Sequence, residues 1–159
     1  MGAARVKKIV SGGQTGVDRA ALDFALESKI PCGGWCPRGR LAEDGRIPER
    51  YPMKETPTEI YEERTRFNVR DSDGTLILGF GDPKGGTAYT IETALTFGKP
   101  LWIVDLEKEF ETEPVSEWIV RNFILVLNVA GPRESGAPGI YEKAKAFLSA
   151  LFDSSTERK

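Results

Sequence analysis

The chain has 159 residues, 40% of them hydrophobic and 29% charged, with a formal net charge of -2 and a sequence pI near 5.4; that suits one well-filled core and is too short for two ordinary domains. The slightly acidic balance gives no global attraction for nucleic acid or an anionic membrane, no run approaches the roughly 18 apolar residues of a membrane span, and "MGAARVKKIV" enters the first strand without a signal-peptide core, so a cytoplasmic protein is expected. Histidine is absent, which removes the commonest general base and the Ser-His and Cys-His pairs, and leaves carboxylates, arginine, lysine, hydroxyls and backbone dipoles for any chemistry.

Val6 to Val10 is a β-branched run, and Val17, Ala21, Phe24 and Ala25 then recur at helical spacing, so strand, glycine turn and helix follow one another. "KIPCGGWCP" reads as a second, weaker strand. Its Cys32 and Cys36 lack the spacing of a redox pair and the second pair a zinc site wants, so they read as apolar fillers and no structural metal is expected. The stretch "RGRLAEDGRIPERYPMKE" resists any regular element, and a loop of that length in a small domain is more often functional than idle. Thr56-Pro57-Thr58-Glu59 reads as a capping box opening a helix to about Val69, closed by "DSDG". Asp71 and Asp73 read as turn formers ahead of the next strand.

"TLILGF" from Thr75 is a fully apolar strand, followed by a helix over about Gly86 to Phe97 with Ile91, Ala94 and Leu95 inward and Gly98 closing it. "LWIVDL" from Leu101 is a fourth strand, a short helix spans about Val115 to Asn122, and "FILVLNVAG" from Phe123 is a fifth strand. Ile140, Ala144, Phe147, Leu148 and Leu151 make the apolar face of a terminal helix, and the polar "DSSTERK" is expected to fray. The alternation indicates a doubly wound, mostly parallel α/β sheet of about five to seven strands with helices on both faces. A single domain over 1–159, with an ordered core over about 6–152, is expected.

Ligands of such sheets bind beyond the carboxyl ends of the strands, at the switch point of strand order. Three strand ends are rich in glycine and polar residues: "SGGQTG", "GFGDPKGGT" and "AGPRESG". Glycine lets backbone approach a ligand, and the helix that follows directs free N–H groups and a partial positive charge into the same space, which suits phosphate. Gly12, Gly13, Thr15 and Gly16 fit that role, with Thr15 as N-cap, Asp18 in the first turn and Arg19 within reach of an anion. The first and third strands are expected as neighbours, their loops facing each other across about 4.8 Å. Neither loop matches the dinucleotide or P-loop fingerprints. Arg38 and Arg40, with Gly39 between them, leave the second strand at the cleft, whereas Arg46 and Arg50 read as surface residues. Glu92 reads as a general base or as a surface carboxylate stabilising its helix.

The segments "SGGQTGVDRAALDFA", "GGWCPRGRLAEDGRIPERYP", "RTRFNVRDSDGTLIL", "GGTAYTIETA" and "NVAGPRES" together resemble the molybdenum carrier family, related to the molybdenum cofactor carrier proteins and more distantly to the lysine decarboxylase-like phosphoribohydrolases. The resemblance runs from about Val6 to Tyr141. It implies a Rossmann-like homo-oligomer, a dimer or tetramer, that carries a phosphorylated pterin, the molybdenum cofactor, and serves molybdoenzymes or cofactor-synthesis proteins. Carried over, Gly12 to Gly16 including Gln14, and Gly85, Gly86 and Thr87 with Thr90, would contact the phosphate. The relatives' P-G-G-x-G-T-x-x-E motif is changed here: Glu92 falls five residues after Thr87 rather than three. A non-catalytic carrier is therefore the leading expectation, and a nucleotide-processing hydrolase using Glu92, Arg38 and Asp18 in the same cleft is the alternative.

Overall fold

The computed structural model describes residues 3–157. The first apolar run forms β1 (Lys8–Val10), and α1 (Val17–Glu27) follows its glycine turn. The second strand is split into β2 (Cys32–Gly33) and β3 (Trp35–Cys36). Within the long loop lie β4 (Leu41–Ala42), β5 (Gly45–Arg46) and β6 (Lys54–Glu55). Thereafter come α2 (Tyr61–Arg70), β7 (Gly74–Gly79), α3 (Gly85–Thr96), β8 (Leu101–Asp105), α4 (Glu113–Arg121), β9 (Val126–Ala130) and α5 (Ile140–Glu157). No helix among the described residues is long and apolar enough to cross a membrane.

Five strands make one sheet in the order β2-β1-β9-β7-β8, and every pairing in it is parallel. Helices α1, α4 and α5 pack on one face, α2 and α3 on the other. This is the doubly wound, Rossmann-like α/β arrangement. The side chains obey the two-residue period of a strand: Leu76, Leu78, Leu127 and Val129 join the main core beneath α1 and α5, while Ile77, Asn128 and Ala130 face the other way, toward a cleft.

The expected neighbourhood of the first and third strands is corrected by this order. β9 lies between β1 and β7, because the crossover through α4 returns the chain to the centre, where three consecutive residues, Leu127 to Val129, are buried. The corners after β1 and β7 are thus two strand spacings apart, about 10 Å.

Four local expectations also shift. The helix after the capping box begins at Tyr61, since Thr56 continues β6 through its N–H to Cys36 O (2.8 Å); Thr58 instead donates both its N–H (3.1 Å) and its hydroxyl (2.8 Å) to Glu63 Oε1. In α3 the inward face is Thr87, Thr90, Thr93 and Ala94, and Leu95 is 66% exposed. Burial of two of those hydroxyls is satisfied within the helix, Thr90 donating to Gly86 O (2.9 Å) and Thr93 to Tyr89 O (2.8 Å). Phe123 precedes its strand and is 79% exposed with φ 53°. The backbone of "DSSTERK" is helical through Glu157, and Arg158 and Lys159 lie outside the described residues.

The long loop owes its order to a second small core of Leu22, Cys36, Ile47 and Tyr51. Buried Arg40 serves it by donating to the carbonyls of Ile47, Pro48 and Tyr51 at 2.7–3.0 Å. The loop is pinned to the rest of the chain at Asp23 of α1, whose carboxylate accepts the hydroxyls of both Tyr51 (2.6 Å) and Tyr141 of α5. Burial, then the hydrogen bond to Asp23 and after it the Asp23 charge, pushes the Tyr51 phenol up to about 12 and raises that of Tyr141 as well.

Candidate ligand cleft

The turns after β1, β7 and β9 open into one cleft of about 830 Å³, walled on the far side by α2. Its two glycine corners are built differently.

At the α1 corner the helix is entered through Gly16, with no side-chain cap. Thr15, expected as the N-cap, instead donates its hydroxyl to Glu43 and accepts the Glu134 N–H (3.1 Å). The amides that would cradle an anion are already engaged. Asp18 turns back to accept the Gln14 N–H (3.1 Å), Ser11 Oγ accepts that of Gly13 (3.4 Å), Gln14 Oε1 that of Thr15 (3.1 Å), and Pro132 O that of Val17 (3.3 Å). A carboxylate of the chain itself thus occupies this helix start. The Asp18 side chain is 7% exposed and lies 3.5 Å from Arg64 Nη1, which also donates to Gly12 O (2.8 Å). Burial pushes Asp18 from 3.8 up to about 6, against the pull of Arg64 and the loop amides. Gly12 is needed for this close approach: a Cβ there would sit 1.9 Å from Arg64 Nη1.

The α3 corner is open. Nothing lies within 4 Å of the position a side chain would take on Gly85 or Gly86, no side chain caps the helix, and the amides of Thr87 and Ala88 are the first to bond the Lys84 carbonyl. The free start of a twelve-residue helix therefore faces the cleft beside Lys84, with Arg133 of the β9 loop on the same lining. Both the helix dipole and these cations favour an anion there.

Of the residues singled out from the sequence, Gly12, Gln14, Asp18, Gly85, Gly86, Thr87 and Thr90 line this one cleft. The others stand apart. Gly13 backs onto Ile47, and Gly16 onto the β9 loop, where a Cβ would be 2.4 Å from Pro132 O. Arg19 donates to Gly13 O (2.7 Å) and forks onto Asp44 (3.0 and 2.9 Å). Arg38 is exposed and lies 3.7 Å from Glu59, the Gly39 N–H donates to Glu55 (2.7 Å), and Arg40 is spent on the loop carbonyls. Glu92 is exposed and does not line the cleft. The β4–β5 hairpin tip docks over the α1 corner through Glu43, which also accepts the Ser135 N–H (3.2 Å) and hydroxyl (2.5 Å); the Ser135 and Thr15 hydroxyls hold its carboxyl below the usual range.

Sequence reasoning missed Arg64, Asn68, Asn128, Lys84 and Arg133, all on the lining. Asn128 could have been found, being a lone amide in an apolar strand; it donates to Thr75 (3.2 Å). Lys84 immediately precedes the glycines. Arg64 meets Gly12 across 52 residues, and no local pattern announces that.

Among solved structures the protein is similar to one described as "Putative molybdenum carrier protein" from Syntrophus aciditrophicus SB, with 48% identity over 92% of this chain and 95% of that chain and a TM-score of 0.91. No curated protein matches the chain. This likeness agrees with the resemblance carried by the sequence motifs. A family model, that of the circularly permutated YpsA SLOG family, matches residues 9–152, nearly the whole chain, and to that family this chain belongs.

Proposed function

We propose that the protein is a carrier holding a phosphorylated, flat heterocyclic molecule, the molybdenum cofactor or a nucleotide-like compound of the same build, in the cleft at the strand ends. The observation that carries this is the uncapped start of α3 at Gly85 and Gly86, open to a cleft of about 830 Å³ and flanked by Lys84. A cleft of that size suits a small organic ligand, and an uncapped helix start suits its phosphate. The Syntrophus protein, described as a molybdenum carrier, points the same way. In this reading Gly85, Gly86, Thr87 and Thr90 serve the phosphate, Gly12, Gln14 and Asp18 line the far end, and release to molybdoenzymes or cofactor-synthesis proteins follows; the carrier works as a homo-oligomer.

The test is thermal: the protein is titrated with molybdenum cofactor and with nucleoside monophosphates. Ligand at about 100 times its Kd adds about 2.7 kcal/mol of stability, a clear rise in Tm. No rise with any phosphorylated ligand well above micromolar concentration overturns the proposal.

A further inference from the structure

Resting on that reading, the difference between the two corners sets which end of the ligand goes where. We infer that Asp18 is a specificity-determining residue that accepts hydrogen bonds from a ring edge bearing adjacent N–H and NH2 donors, the edge found on guanine and pterin rings, while the ligand's anionic arm lies at the α3 corner.

Asp18 lines the cleft and makes the α1 corner hostile to phosphate, because an ionised carboxylate already sits among its amides. What the corner offers instead is acceptor capacity. A carboxylate has about four lone-pair positions; Gln14 N–H takes one on Oδ2 at 3.1 Å, the Gly12 amide also acts on the group and Arg64 Nη1 stands 3.5 Å from Oδ2, which leaves acceptor positions for a ligand. The neighbouring polar groups are turned to the chain: Gln14 Oε1 accepts the amides of Thr15 and Glu43, the Asn68 side chain both donates to and accepts from the Trp35 backbone, and Arg64 donates to Gly12 O. A pair of ligand N–H donors is the complement that remains.

Charge and span agree. Arg64 at 3.5 Å and, on the same helix as Asp18, Arg19 are the cations that act on the carboxylate, and Arg19 is committed to Asp44. Burial raises the carboxyl to about 6, and donors from a ligand offset that cost of desolvation. With β9 between them, the two corners are on the order of 10 Å apart, comparable to a ring joined to a phosphate through a sugar or a fused pyran. Tyr61, under the Arg64 guanidinium at 5.3 Å, lines the cleft beside this corner and offers an aromatic face.

The experiment is calorimetric titration of the unaltered protein with guanosine, inosine and adenosine monophosphates, which present two, one and no donors on that edge. Guanosine monophosphate is expected to bind at least tenfold more tightly than the adenosine compound, with inosine between. In Asp18→Asn, an isosteric change, the preference should fall to within about twofold through loss of guanosine monophosphate affinity. Equal affinities in the unaltered protein, or an undiminished preference in Asp18→Asn, overturn the inference and leave the phosphate reading standing. Binding of none of the three overturns the inference, and the carrier reading falls with it only if molybdenum cofactor also fails to raise Tm.

Discussion

The two glycine corners of this sheet look alike in sequence and are opposites in structure. After β1 the glycines admit side chains of the protein itself: Arg64 lies over Gly12 and Asp18 curls into the amides. After β7 the glycines admit nothing, and the helix start is bare. A glycine-rich strand end therefore states only that something comes close to the backbone. Whether that visitor is a ligand or an arginine from a distant helix is decided by tertiary contacts.

The largest way to break the comparison is to empty the α1 corner of its cation. Arg64→Met leaves Asp18 buried without its partner and should cost about 3–5 kcal/mol at pH 8. Because burial raises the folded Asp18 carboxyl to about 6 even with Arg64 pulling it down, loss of Arg64 raises it further; protonation therefore relieves the variant as pH falls, and urea unfolding at pH 5 should show a much smaller deficit. An equal deficit at both pH values would mean Asp18 is not the group left stranded.

Asp18→Asn isolates the same carboxylate from the other side. A raised folded pKa means that the stability owed to the neutral form is present below 3.8 and lost as pH rises through about 6. About two pKa units at 1.36 kcal/mol each amount to roughly 3 kcal/mol. The variant should therefore gain on the unaltered protein by up to that amount between pH 4 and pH 7.5, whatever its offset. A pH-independent difference in unfolding free energy would contradict this.

At the open corner the expected effect falls on binding instead. Gly86→Asp places a carboxylate at the α3 start, where its Cβ meets no atom within 4 Å and its charge is favoured by the dipole. Folding should hold or improve by a few tenths of a kcal/mol, while affinity for a nucleoside monophosphate drops about 50-fold, as read by calorimetry. The smallest effect belongs to the hairpin strap: Glu43→Ala removes exposed bonds to Thr15 and Ser135 and should cost about 1 kcal/mol or less after solvent screening, with faster proteolysis near Asp44 as the sharper readout.

How much of this could be read from the chain follows from the range of each interaction. Val17, Ala21, Phe24 and Ala25 announce α1 because a helical period is local, and the apolar runs of β7 and β9 announce a sheet covered on both faces. Strand order is not local, which is why β9 could not be foreseen between β1 and β7. In α3, apolar residues were expected inward, yet Thr90 and Thr93 can be buried cheaply by bonding their own helix, leaving Leu95 outside. The cleft's general position and half of its lining came from strand ends and glycines. Its charge did not, because Arg64 reaches Gly12 and Asp18 only after α2 has docked.

Asp23 accepts one phenol from the long loop and one from α5, the second from 118 residues further along. On a ribosome, the loop could find Leu22, Cys36 and the Asp23 carboxylate early, but the second phenol on that carboxylate must wait until Tyr141 has emerged. Synthesis would then end with a closing stroke, in which the last helix to appear ties itself to a carboxylate already holding a segment made long before it.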